Sequence, residues 1–254
     1  MKKRLNLTIL PGLTAAAGVL GLILQRALYA VALDETNLLP QSHPLQTLLA
    51  VYSLAVLGSI VLAAWKLDGS NKYRNNFYPS FPAAVGNVLM AAGVALTVML
   101  NDPRMPGALG LAWKLFGWLS SPCLLAAGFA RVQGKRPFFL LHLIPCLFLV
   151  FHIVTHYQTW CGNPQLQDYI FTVFGTMALM FFAYYHAAFE VGSGRRQLHL
   201  GMGLAGIYLC IVNLAFTEYL FLYLGGIAWM LTDLCTMTPK QKSTPKKEEG
   251  GEAK

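Results

Sequence analysis

The sequence predicts an all-α integral membrane protein: an eight-transmembrane-helix bundle over residues 1–235, both termini cytoplasmic, followed by a disordered tail over 236–254. Three observations predict it. Of 254 residues, 56% are hydrophobic and only 12% charged, against roughly a quarter charged in soluble domains. The apolar residues gather into runs of about 20, the length that crosses a hydrocarbon core of roughly 30 Å at 1.5 Å rise per residue. The basic residues sit in short clusters between those runs, on alternate connections. A net charge of +8 would point to nucleic acid in a soluble domain; distributed in this way it is a topology signal, and nucleic acid is excluded as a partner. The partner implied is the lipid bilayer, and the place a cell membrane.

The first span is read over Ile9 to Ala32, behind Lys2, Lys3 and Arg4. Ala30-Val31-Ala32 resembles a signal cleavage site, but the apolar stretch exceeds the usual 7 to 15 residues and Gln25-Arg26 interrupts it, so a retained helix is expected. After Asp34 to Pro44 come a second span, Leu45 to Trp65, and a third, Ala83 to Leu100, preceded by Pro79 and Pro82 and closed by Asn101-Asp102-Pro103. The fourth runs Leu109 to Ala130. Spans five and six, Phe138 to Tyr157 and Tyr169 to Phe189, form a hairpin around the Gln158 to Asp168 loop. The 38 apolar residues from Leu198 to Cys235 would make a single helix about 57 Å long, nearly twice the hydrocarbon core. Two shorter spans, Leu198 to Leu214 and Tyr219 to Leu234, fit better.

With the N-terminus inside, 16 of the 19 basic residues fall on inner segments and Arg104 alone on an outer loop, while Arg26 and Lys114 lie within spans. That bias sets both termini inside. Ala63-Ala64-Trp65, Ala127-Gly128-Phe129 and Ala187-Ala188-Phe189, each followed by a glycine and a basic residue, hint at a repeated helical hairpin; helix packing and interface depth alone produce the same pattern. Five cysteines, Cys123, Cys146, Cys161, Cys210 and Cys235, have neither metal spacing nor a disulfide framework.

Four of the six histidines lie on the hairpin: His142, His152, His156 and His186. At 100° per residue, the three on span five share an arc of about 80°, and ionisable side chains inside a membrane normally face the bundle interior. His142 and His186 sit at similar depth on adjacent antiparallel helices. Paired imidazoles at one level suit axial ligation of haem b, with Arg136, Arg195 and Arg196 for propionates and clearance at Gly201, Gly203 and Gly206. His152 and His156, at i and i+4, place two imidazoles side by side; a zinc site would need a third ligand, with Glu218 or Asp168 as the acids within reach. Arg26 and Lys114, in the outer third of spans one and four, form with His152 and His156 a cationic cavity for a carboxylate or phosphate; snorkelling to the interface is the plain alternative. Asn87 and Asn213 read as interhelical hydrogen-bond donors and acceptors. Glu190 and Asp233, at inner helix ends, are expected simply to reach water.

The function these patterns favour is small-molecule, anionic-ligand binding for transport or sensing, with Arg26, Lys114, His152 and His156 as ligand-binding residues. Two readings stand beside it: a haem-b or quinone-linked redox anchor with His142 and His186 binding the cofactor, and a structural or assembly protein without ligand. No residue is assigned a catalytic role, and a protein without enzymatic activity is favoured.

Overall fold

The computed structural model describes residues 2–32, 43–66, 71–102, 107–160, 170–215 and 219–237, with backbone alone for 2–8, 32 and 158–160. Each apolar run folds as one helix: α1 (Lys2–Ala32), α2 (Pro44–Trp65), α4 (Phe81–Leu100), α5 (Ala108–Val132), α6 (Leu140–Trp160), α7 (Ile170–Val191), α8 (Arg196–Asn213) and α9 (Leu220–Cys235), with a single turn, α3 (Tyr73–Asn76), between α2 and α4. Local chemistry fixes the starts. The His43 side chain accepts the Leu45 N–H at 3.3 Å ahead of Pro44, and Ser80 Oγ accepts the Ala83 N–H at 3.4 Å ahead of Pro82, each a polar cap followed by a proline where no N–H is needed. α7 stops at Gly192, whose φ of +89° an L side chain rarely adopts.

Six stretches, Ile9–Val31, Pro44–Trp65, Phe81–Leu100, Ala108–Val132, Leu140–Tyr157 and Ile170–Val191, are long and apolar enough to cross a membrane, and α9 is a shorter apolar helix. The chain is a multi-pass helical membrane bundle. Leu48, Val51, Leu54, Val61, Leu62 and Trp65 of α2 are all more than half exposed, an outward apolar face that belongs against lipid.

Helices α4 to α9 form a closed ring, each packed on the next and α9 back on α4, while α1 and α2 lie outside it against α8. Burial follows that order: 13 of the 18 residues of α8 are buried, but only four of the 22 in α2. The α4–α9 seam closes on backbone. A Cβ at Gly225 would lie 2.9 Å from the Leu89 carbonyl oxygen, and one at Gly93 would collide with the Phe221 carbonyl, so glycine at both positions lets the helices meet as small residues do in membranes. On α1, Gly21 similarly faces Val212 of α8, with 2.7 Å available to a Cβ.

α2, α5, α7 and α9 end, and α4, α6 and α8 begin, at one end of the bundle. Its connections carry Lys66, Lys72, Arg74, Lys135, Arg136 and Arg195; it is called here the basic end. Among the described residues there is no strand, but an isolated antiparallel bridge joins Phe77 to Met237. Thr236 and Met237 are buried there, so the first two residues assigned to the tail belong to the folded bundle. Residues 238–254 lie outside the described residues.

Candidate metal centre

At the basic end, five helices deliver a polar side chain to one level. Arg131 comes from the last turn of α5, His142 from the first of α6, His186 and Glu190 from one face of α7 at i and i+4, His199 from the first turn of α8 and Asp233 from the last of α9. All six are at most 4% exposed. Buried charge at this density is stable only when it is paired.

Asp233 is the hub. Its Oδ1 accepts from Arg131 Nη2 at 3.0 Å, and its Oδ2 lies 3.0 Å from His186 Nε2 and 3.2 Å from His199 Nε2. Arg131 also donates to Tyr73 Oη at 3.2 Å and to Thr236 Oγ1 at 3.5 Å. Burial raises the Tyr73 phenol above its ordinary pKa, so it stays neutral and accepts. Beside the hub, His142 Nδ1 and Glu190 Oε1 are 2.6 Å apart. A column of flat groups runs through the cluster. The Arg131 guanidinium lies 4.4 Å from the Phe77 ring centroid, Phe77 stacks on His186 at 4.9 Å, and His186 stacks on His142 at 4.4 Å. Trp229 closes the side, nearly parallel to both imidazoles.

This donor set has the ligand types that metal sites use. Two groups, His142 with His186 and Glu190, and His186 with His199 and Asp233, each bring their ligand atoms within 4.8 Å of one another. Both are two-histidine, one-carboxylate sets, as in zinc hydrolases and non-haem iron enzymes. A tetrahedral ion with bonds of about 2.0–2.1 Å holds its ligand atoms roughly 3.3 Å apart; the contacts at Asp233 Oδ2 are already near that spacing. The His186 contact is at ion-pair distance without hydrogen-bond geometry, and His142 Nε2 and Glu190 Oε2 are buried with no hydrogen-bond partner among the described residues. A surface depression of about 580 Å³ at the basic end is lined by Arg136, Pro137, Phe138, Phe139, Glu190 and Val191, with Glu190 Oε2 buried behind it.

The residues singled out by sequence divide between the two ends. His142 and His186 meet at the basic end, as equal depth requires. Their rings are stacked face to face within 18° of parallel, whereas haem b would have to stand between them. The glycines expected to clear space for it face protein: a Cβ at Gly203 would be 2.9 Å from both Leu234 and Phe182, and one at Gly206 would be 2.5 Å from Met230 Sδ. At the opposite end, His152 and His156 are buried with ring centroids 4.3 Å apart. Trp113 Nε1 donates to His152 Nδ1 at 3.2 Å, His156 Nδ1 lies 2.7 Å from the His152 carbonyl, and His156 Nε2 is hydrogen-bonded to Tyr219 Oη. Arg26 and Lys114 have other partners. Exposed Arg26 donates to the Leu214 carbonyl at 3.4 Å, and half-exposed Lys114 pairs with Asp102 at 2.7 Å. That ammonium, hydrogen-bonded to Asp102, holds the carboxyl below its usual range. Glu218, Asp168 and Cys161 lie outside the described residues.

Two expectations are corrected. Glu190 and Asp233 do not reach water; each is 1% exposed and paired, and Phe77, bridged to Met237, packs on His186 and His199 beside Asp233. Arg131 and Arg196, counted as topology signals, are buried at 4% and 2%. Of the asparagines, Asn213 bridges helices by accepting from Thr172 Oγ1 at 2.6 Å, while Asn87 donates within its own helix to the Ala83 carbonyl at 2.9 Å. His199 was not singled out from sequence. Its signal was position: it stands at the same end of α8 as His186 on α7 and Asp233 on α9. No family model matches the chain, and neither a curated protein nor a solved structure matches it.

Proposed function

We propose that this is a membrane-embedded metalloenzyme in which His186, His199 and Asp233 hold one divalent transition-metal ion, zinc or iron, with the His142–Glu190 pair beside it for proton transfer. The observation that carries the reading is the convergence of three histidines and two carboxylates from four helices on one buried point. Arg131 holds the second oxygen of Asp233, the outer-sphere support that metal carboxylates normally have.

Metal-assisted hydrolysis is the chemistry this set serves most directly. An ion held by His186, His199 and Asp233 would polarise water and a substrate carbonyl, and Glu190, paired with His142, would accept the water's proton and return it to the leaving oxygen or nitrogen. We further infer eight crossings with both termini on the basic, cytoplasmic side of a cell membrane. α8 and α9, with 18 and 16 residues, reach about 27 and 24 Å, close to the hydrocarbon thickness, and the basic bias, 14 to 1 once the buried Arg131 and Arg196 are set aside, supports the orientation. The buried Ala64, Ala127 and Ala187 near the ends of α2, α5 and α7 support a repeated hairpin.

Metal analysis of the detergent-purified protein, with an absorption spectrum, tests the centre. The expected result is about one equivalent of zinc or iron per chain and no Soret band. His199→Ala should lose the metal while eluting as a monodisperse species, and His152→Ala should keep it. Wild-type protein that stays metal-free after incubation with zinc, iron(II) and manganese would reduce the cluster to a buried ion-pair lock.

A further inference from the structure

We infer that the segment between α2 and α4, from Lys72 to Ser80, is a hinged lid over the buried cluster at the basic end, with Phe77 as its plug and the metal ion as the cargo it admits. For the cargo, the inference rests on the metal reading. A route has to exist, because Arg131, His142, His186, Glu190, His199 and Asp233 are all at most 4% exposed, whereas an ion must come from water. Around them stand helices closed into a ring, and parting any two would break a long packed seam.

The segment over the cluster is of another kind. Its one turn, Tyr73–Asn76, closes hydrogen bonds within itself. The Phe77 N–H donates to the Tyr73 carbonyl at 3.0 Å, the Asn75 N–H to the Lys72 carbonyl at 3.2 Å, and Asn76 Nδ2 to that same carbonyl at 2.9 Å. It can lift as a unit and keep these bonds, so little backbone is left unpaired. Its seat is made of side chains and the bridge to Met237. The Phe77 ring, 4% exposed, lies 4.4 Å from the Arg131 guanidinium, stacks on His186 at 4.9 Å and meets His199 edge to face at 5.7 Å. Tyr73 Oη accepts from Arg131 at 3.2 Å. The plug thus touches the arginine and both histidines that surround Asp233, and lifting it uncovers them from the basic end. The other side of the segment carries Arg74, Asn75 and Tyr78, all exposed. Its far end is pinned: Pro79 Cγ lies 2.6 Å from where Gly134 would carry a Cβ, and Ser80 caps α4. The lid therefore turns about Pro79 and Ser80.

Zinc exchange by the full chain in detergent tests the inference, with release and uptake both followed by a chromogenic chelator. A lid alters the two rates alike and leaves the equilibrium alone, whereas a merely structural role weakens affinity. Phe77→Ala should speed release and uptake by about tenfold each, with Kd held within about a factor of three. Tyr73→Phe, which loses one fastening, should speed both by about fivefold. Phe139→Ala, at the depression in front of Glu190, should leave both rates unchanged. If Phe77→Ala does not elute as a single species, Phe77→Leu keeps apolar bulk without the stacking plane and should shift both rates in the same direction. Diethyl pyrocarbonate gives a readout that needs no metal: His199 of the metal-free protein should be modified faster in Phe77→Ala than in wild type, as mass spectrometry would show. Wild-type protein that takes up no zinc would sink the metal reading, whereas unchanged modification of His199 would sink the lid. Faster release without faster uptake would overturn it too, as would acceleration by Phe139→Ala and not by Phe77→Ala.

Discussion

Asp233 divides its two oxygens between unlike partners, a guanidinium on one side and two imidazoles on the other. Removing it would leave Arg131 charged and buried. Asp233→Ala should therefore cost about 3–5 kcal/mol of unfolding free energy, read by chemical denaturation in mixed micelles. Asp233→Leu combined with Arg131→Met should recover much of that loss, because a hydrophobic replacement removes both charges together. The Lys114–Asp102 pair is the control. It is shorter, at 2.7 Å, but exposed, and water screens it. Because the folded pKa of Asp102 is lowered, whatever the pair contributes is present above the ordinary carboxylate range and lost as pH falls through the depressed value. Asp102→Asn should leave the unfolding midpoint unmoved between neutral and mildly acid pH.

At the scale of the element, the seam between α4 and α9 decides whether the ring closes. Gly225→Leu should cost about 1–3 kcal/mol or more through overpacking and should broaden the size-exclusion profile. Gly58→Leu, on α2 where a Cβ meets nothing within 4 Å, should be neutral or slightly stabilising through helix propensity. Helix positions were legible in the sequence because hydrocarbon thickness imposes a length and Pro44, Pro82 and Asn101 mark boundaries. The site was legible by half. His142 and His186 could be matched by counting residues from helix ends, a one-dimensional argument that suffices for antiparallel neighbours. Asp233 and Glu190 could not, since a carboxylate at a helix end faces water unless something covers it. Beside Asp233 the cover is Phe77, next to a four-residue turn, with Met237 just past the last helix. No periodicity announces a piece that small.

For the whole molecule, the two ends can be told apart chemically. In sealed vesicles, a membrane-impermeant amine reagent should label Lys66, Lys72 and Lys135 from the cytoplasmic face and Lys114 from the other, as mass spectrometry would show; labelling of Lys114 together with Lys135 from one face would refute the proposed topology. The closed ring also has an order in time. Its first helix, α4, meets its last, α9, and chains emerge from the ribosome N-terminus first. Until α9 arrives, Arg131, His186 and His199 lack the carboxylate that serves all three. A nascent chain halted before residue 233 therefore carries an unmatched cation at the membrane surface, a mark by which quality control can tell an unfinished product from a finished one.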